Sequence, residues 1–141
     1  MKYLAFFFAV IGLHFNANAA PVAHPPLECG DFLHQLGLSR PDVKFQGCAK
    51  HHDRNTDYLE ATYRVTGNDL PQVEAWAIQT FNLKPLKFVC CGWESRTVAY
   101  RSKDGAEYYI GMGGETLINE RQAWSKIPYL TLSMTHYIND P

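Results

Sequence analysis

The sequence predicts an α+β domain: one antiparallel β-sheet of about five to six strands, two helices packed on one face, and disulfide staples. Three observations lead there. Residues 86–94, Leu-Lys-Phe-Val-Cys-Cys-Gly-Trp-Glu, form the most β-like run and carry two of the four cysteines side by side. Several short stretches alternate apolar and polar residues, the period of a half-buried strand. Two others, near residues 29–36 and 69–82, repeat apolar residues at helical spacing.

The N-terminus reads as a leader. Met1-Lys2 gives an early positive charge, residues 4–13 are an apolar run, and Ala17-Asn18-Ala19 precedes Ala20. This is the order of a secretory signal peptide, with cleavage expected after Ala19, and the run is shorter than the roughly 20 residues a membrane span needs. The expected organisation is therefore a signal peptide over 1–19 and a single domain over 20–141 of the 141 residues, periplasmic or secreted, with no stable membrane insertion after cleavage. A formal net charge of −1 with no Lys/Arg block argues against nucleic acid as a partner.

Residues 21–27, with three prolines, read as an extended lead-in. Cys29, Phe32, Leu33 and Leu36 then form the buried stripe of a first helix, stopped by Gly37 and Pro41. Residues 43–48 alternate as a strand, in which Cys48 has the wrong parity to join Val43 and Phe45 unless Gly47 makes a bulge. His51-His52-Asp53-Arg54-Asn55 reads as a polar turn into a second strand, with Leu59, Ala61, Tyr63 and Val65 on one face. Asp69 is a helix N-cap, with Gln72 three residues on and Pro71 in the first turn. Val73, Trp76, Ala77, Thr80 and Phe81 make the inward face of that helix, which ends near Asn82.

Residues 86–94 are expected to be the central strand. Asp104-Gly105 between two β-rich runs signals a hairpin of residues 97–101 and 106–112. Residues 119–126 form a polar connection of about one helical turn, and residues 127–138 a last strand entered through Pro128.

Neighbouring side chains on a strand point to opposite faces, so Cys90 and Cys91 are expected to be tied to different parts of the chain. Export favours disulfides over free thiols at Cys29, Cys48, Cys90 and Cys91. Strand parity pairs Cys29 with Cys90 and Cys48 with Cys91; a single bulge reverses that assignment. Redox chemistry normally uses Cys-x-x-Cys at a helix N-terminus, a setting this pair lacks.

The remaining constellations are weak. His51 and His52 are the nearest approach to a metal site, with no third ligand at a telling spacing. His24, His34 and His136 are isolated. Residues 111–115, Gly-Met-Gly-Gly-Glu, lack the Gly-Lys-Ser/Thr of a phosphate loop. Ser125, Ser133, Glu94 and Glu115 lie in no nucleophile motif, so no catalytic residue and no cofactor is assigned. Trp93, Tyr108, Tyr109 and Trp124 are the aromatic candidates for contact with another protein.

The residues Cys29-Gly30-Asp31-Phe32-Leu33, Phe45-x-Gly47-Cys48, Ala61-Thr62-Tyr63-Arg64-Val65-x-Gly67 and Phe88-Val89-Cys90-Cys91-Gly92-Trp93-Glu94 together resemble a family of small exported proteins, mainly of Gram-negative bacteria, described as a domain of unknown function. The resemblance implies export and one stapled domain, and no mechanism. The function expected is that of a small non-catalytic binding protein, an inhibitor or immunity protein whose partner is another protein; the alternative is a small periplasmic enzyme, a hydrolase or one that depends on a thiol.

Overall fold

The structure, a computed structural model, describes residues 27–54 and 56–138. The leader expected over 1–19, and His24, lie outside the described residues. The elements in order are α1 (Phe32–Gln35), β1 (Lys44–Asp53), β2 (Thr56–Val65), α2 (Leu70–Phe81), β3 (Lys87–Val89), β4 (Gly92–Glu94), β5 (Val98–Arg101), β6 (Glu107–Glu115), a 3₁₀ segment (Arg121–Lys126) and β7 (Leu130–Tyr137).

The strands form one seven-stranded antiparallel sheet in the order β1-β2-β7-β6-β4-β3, with β5 pairing β6 beside β4. This corrects the expected α+β class. The molecule is mainly antiparallel β, and the two-helix layer over five or six strands does not form. The first helix shrinks to a single turn because Asp31 caps it, accepting from the His34 N–H at 3.1 Å, and Gly37 ends it at φ 69°. Cys29 therefore lies before the helix, not on its stripe. The extra strand comes from residues 86–94, which fold back on themselves as the β3–β4 hairpin at the sheet's edge instead of crossing its centre.

Alternation sorts the two faces of the sheet. Leu59, Ala61, Tyr63 and Val65 of β2, Leu130, Leu132 and Met134 of β7, and Tyr108, Ile110 and Met112 of β6 share the core face. α2 adds Leu70, Val73, Ala77 and Phe81 to the same core. The opposite face presents Glu60, Thr62, Arg64, Thr131, Ser133, Thr135, Gly111 and Gly113, none of them buried. The pairing of β1 with β2 slips between Phe45 and Gly47, and this bulge turns Cys48 to the core face opposite Ala61.

α2 begins and ends where its sequence signals lie. Asn82 adopts the left-handed conformation at φ 59° after the last turn. Asp69 occupies the N-cap but spends its carboxylate differently, accepting from Thr66 Oγ1 at 2.6 Å and from Gln72 Nε2 at 3.2 Å. Just before it, Gly67 passes so close to the 3₁₀ segment that a Cβ there would lie 2.0 Å from the Trp124 carbonyl oxygen.

Two side-chain networks fasten the outlying pieces to the sheet. The buried Tyr63 hydroxyl accepts from the Leu33 N–H and donates to Asp31 Oδ1, both at 3.0 Å, tying α1 to β2. Burial pushes the Tyr63 phenol far above its ordinary pKa. Glu74, on the buried side of α2, accepts from Arg121 at 2.7 and 3.0 Å and from the Leu86 N–H at 2.7 Å. Arg121 also donates to the Leu86 carbonyl and lies over the rings of Trp93 and Trp124.

Candidate functional site

The non-core face carries an aromatic ladder across four strands. His51 of β1 stacks on Tyr58 of β2, with centroids 5.0 Å apart and planes 24° apart. Tyr58 meets Tyr137 of β7 at 5.7 Å and 54°, and Tyr137 meets Tyr109 of β6 at 5.3 Å and 78°. The register produces this row: His51 opposes Tyr58, Tyr58 opposes Tyr137, and Tyr109 opposes Thr135, two residues along the same face of β7. Tyr137 and Tyr109 remain 40% and 36% exposed, and Ile138 beside them 40%.

An open hollow of about 1000 Å³ lies at this end of the sheet, between the β1–β2 turn, the β5–β6 hairpin and the end of β7. Charge of both signs rims it, from Asp53 and Glu107 and from Arg54 and Arg101. Hydrogen bonds from the Tyr109 hydroxyl and from Arg101, at 2.9 and 2.8 Å, hold the Glu107 carboxyl below the usual range. Asp57 nearby is held low in the same way, first by His52 and then by Lys50. The neighbouring β5–β6 turn is fixed by Ser102, whose hydroxyl bonds to Asp104 and to the Ala106 carbonyl.

The aromatic residues singled out by sequence fall into two environments. Trp93, Tyr108 and Trp124 are core residues, 6%, 1% and 2% exposed. Tyr109 faces solvent as a rung of the ladder. Tyr58 and Tyr137, which complete the row, were not singled out. Their signal was present in strand parity, since each alternates with core residues, but only the register makes them neighbours.

His51 and His52 lie within β1 rather than in a turn, because β1 runs on to Asp53. Adjacent on a strand, they point to opposite faces. His51 Nε2 lies 3.4 Å from Glu60, and His52 Nδ1 lies 2.6 Å from Asp57. Among the described residues no three His, Cys, Asp or Glu side chains are gathered for a metal ion.

The cysteine pairing by parity is overturned. Cys29 is bridged to Cys48, with Cα atoms 5.5 Å apart, and Cys90 to Cys91. The bulge at Gly47 that places Cys48 on the core face brings it within reach of Cys29. Cys90 and Cys91 form the tip of the β3–β4 hairpin, both exposed, so neither is a rivet inside a buried strand. Cys90 has φ 54°, and the Cys91 N–H donates to the Val89 carbonyl at 2.6 Å. A bond spanning only three residues with a positive central φ is a γ-turn of the classic, rare kind. A shallow hollow of about 490 Å³ lies beside it, lined by Val89, Glu94, Gly113, Gly114 and Glu115 among others.

Among the described residues no helix is long and apolar enough to cross a membrane. No curated protein and no solved structure matches the chain. A family profile for a domain of unknown function, DUF4952, matches residues 17–93, more than half of the chain, up to Trp93 of β4.

Proposed function

We propose, for a chain that belongs to the DUF4952 family, a non-catalytic role: an exported protein that holds another protein on the aromatic ladder of its open sheet face. The observation that carries this reading is the row His51–Tyr58–Tyr137–Tyr109, partly exposed and ringed by Asp53, Arg54, Arg101 and Glu107. Aromatic anchors inside a rim of mixed charge are the usual make-up of a protein–protein hot spot. The occupant is a protein surface offering both signs of charge. A polyanion would meet Asp53 and Glu107, and a sugar would need coplanar rings, whereas two of the three ring pairs here are tilted by 54° and 78°. An inhibitor or immunity protein has this requirement, a rigid face that fits its partner. Export to the periplasm or the medium of a Gram-negative cell is supported by the two disulfides and by the leader pattern of the first 19 residues.

The test is co-purification from envelope extract with the wild-type chain, with Tyr109→Ala and Tyr137→Ala, and with Lys84→Ala, an exposed residue just after α2, as control. A captured protein that survives Lys84→Ala and falls by tenfold or more with either tyrosine variant, the size of a lost hot spot at about 1.4–2 kcal/mol, supports the reading. Capture indifferent to the ladder, or a wild-type chain that stays alone, rejects it.

A further inference from the structure

The two disulfides hold very different amounts of structure. Cys29–Cys48 closes a loop across 19 positions of sequence and pins the lead-in of α1 to β1. The cross-link stabilises the fold by removing loop entropy from the unfolded chain, so the fold in turn stabilises the cross-link, and this resists reduction. Cys90–Cys91 closes no loop beyond its own peptide, so it lacks that protection. It also lies at an exposed tip, in a backbone that a non-glycine residue adopts only at a cost, because Cys90 sits at φ 54°. Opening the bridge leaves the two-residue connection between Val89 and Gly92 in place, because a positive φ at its first residue is what such a loop needs whether or not the sulfurs are joined. Exposure and the lack of a closed loop both favour the dithiol form.

The surroundings hold the hairpin while the tip changes. Cys91 accepts from the Thr116 N–H at 2.9 Å through its carbonyl, Gly92 pairs with Glu115, and the Trp93 indole donates to the Ile118 carbonyl at 2.7 Å. None of these bonds uses a sulfur.

We propose that Cys90–Cys91 is a thiol–disulfide exchange site whose co-substrate is an exposed dithiol of the Cys-x-x-Cys class, while Cys29–Cys48 is a permanent staple. A thiolate of the reductant attacks one bridge sulfur. The S–S bond breaks, the other cysteine leaves as a thiolate and takes up a proton, and a mixed disulfide joins the two molecules. The reductant's second thiol attacks that mixed disulfide, closes its own S–S bond and frees the first cysteine. Two electrons pass to the Cys90–Cys91 pair, and the reductant is oxidised to its disulfide. Val89, 51% exposed beside the bridge, gives an apolar reductant a place to rest. Glu94 and Glu115 line the same hollow, so an anionic monothiol such as glutathione meets like charge there. The site stands at the opposite end of β6 from the aromatic ladder and does not depend on the reading of that ladder.

The full chain, air-oxidised, is equilibrated with graded ratios of reduced to oxidised dithiothreitol, quenched in acid, alkylated and mapped by peptide mass, with near-ultraviolet circular dichroism recorded at each ratio. The peptide holding Cys90 and Cys91 is expected to gain two labels together at a ratio about tenfold or more below that which opens Cys29–Cys48, with the dichroism unchanged. The double variant Cys90→Ser/Cys91→Ser is expected to fold and to leave the Cys29–Cys48 transition where it was. Both bridges opening together, loss of tertiary dichroism as the Cys90–Cys91 pair is labelled, or label on Cys90 and Cys91 before any reductant is added would each overturn the proposal.

Discussion

Asp42 illustrates how single charges are used in this small domain. Its carboxylate accepts a fork of two bonds from Arg40, at 2.8 and 2.6 Å, and a third from Gln72 of α2 at 3.1 Å. The Arg40 bonds, chiefly, hold its pKa below the ordinary value. A carboxylate depressed in the folded state adds stability above its unfolded pKa, near 3.9, and that contribution is lost as pH falls through the folded value. Asp42→Asn is therefore expected to cost about 1 kcal/mol at pH 7 and progressively less below about pH 4, measured by urea denaturation at both pH values. The same residue-level chemistry explains part of what could be read in advance. Asp69, Pro71, Asn82 and the Asp104-Gly105 pair each act locally, and α2 and the β5–β6 hairpin form where they stand. Cys90-Cys91 gives no such warning. A turn normally announces itself with Gly, Asn or Asp, and here a covalent bridge takes their place, so the apolar residues on both sides read as one strand.

At the scale of elements, the pair Glu74–Arg121 does what no backbone contact does. It joins α2, the residue ahead of β3 and the 3₁₀ segment. Glu74 is 7% exposed, so removing its carboxylate strands the Leu86 N–H and part of a guanidinium. Glu74→Ala is expected to lower unfolding free energy by about 2–4 kcal/mol, less than a fully buried pair because Arg121 is half exposed. Thermal denaturation with a matched Arg121→Ala variant checks it; two losses that simply add would show the pair is not coupled. Neither residue stood out in the sequence. A glutamate on the inward side of a helix and an arginine 47 positions later become partners only when the fold closes. The ladder escaped notice for the same reason. The alternation of Tyr58 and Tyr137 was visible, but their adjacency depends on β2 pairing with β7, a contact between distant stretches. His51 and His52 looked like a turn because polar residues near the free end of a hairpin resemble one in composition.

For the whole molecule, the main error of sequence reasoning was one of proportion. The buried stripe at residues 29–36 reads as a short helix layered on the sheet, yet Asp31 and Gly37 confine it to four residues, and the seventh strand arises where residues 86–94 fold back as a hairpin. So short a helix adds little cohesion alone, which leaves the N-terminal part of the domain dependent on Tyr63 and on the Cys29–Cys48 bridge. The double variant Cys29→Ser/Cys48→Ser is expected to cost about 3 kcal/mol, the entropy of an untied loop of this length. Chemical denaturation of the variant against the oxidised wild type measures it, and a loss under about 1 kcal/mol would mean that Tyr63 already does the fastening.

The slip in pairing at Phe45–Gly47 has a meaning beyond the placing of Cys48. β1 is an outermost strand, ten residues long, and among the described residues no strand pairs with its other flank. A straight ribbon of that length would invite a neighbouring chain to continue the hydrogen-bond pattern indefinitely. The kink at Gln46-Gly47 throws any such newcomer out of step, and the exposed Lys44 adds charge to the same ribbon. The feature that lets one cysteine reach its mate thereby also blunts an edge of the kind that templates fibre growth.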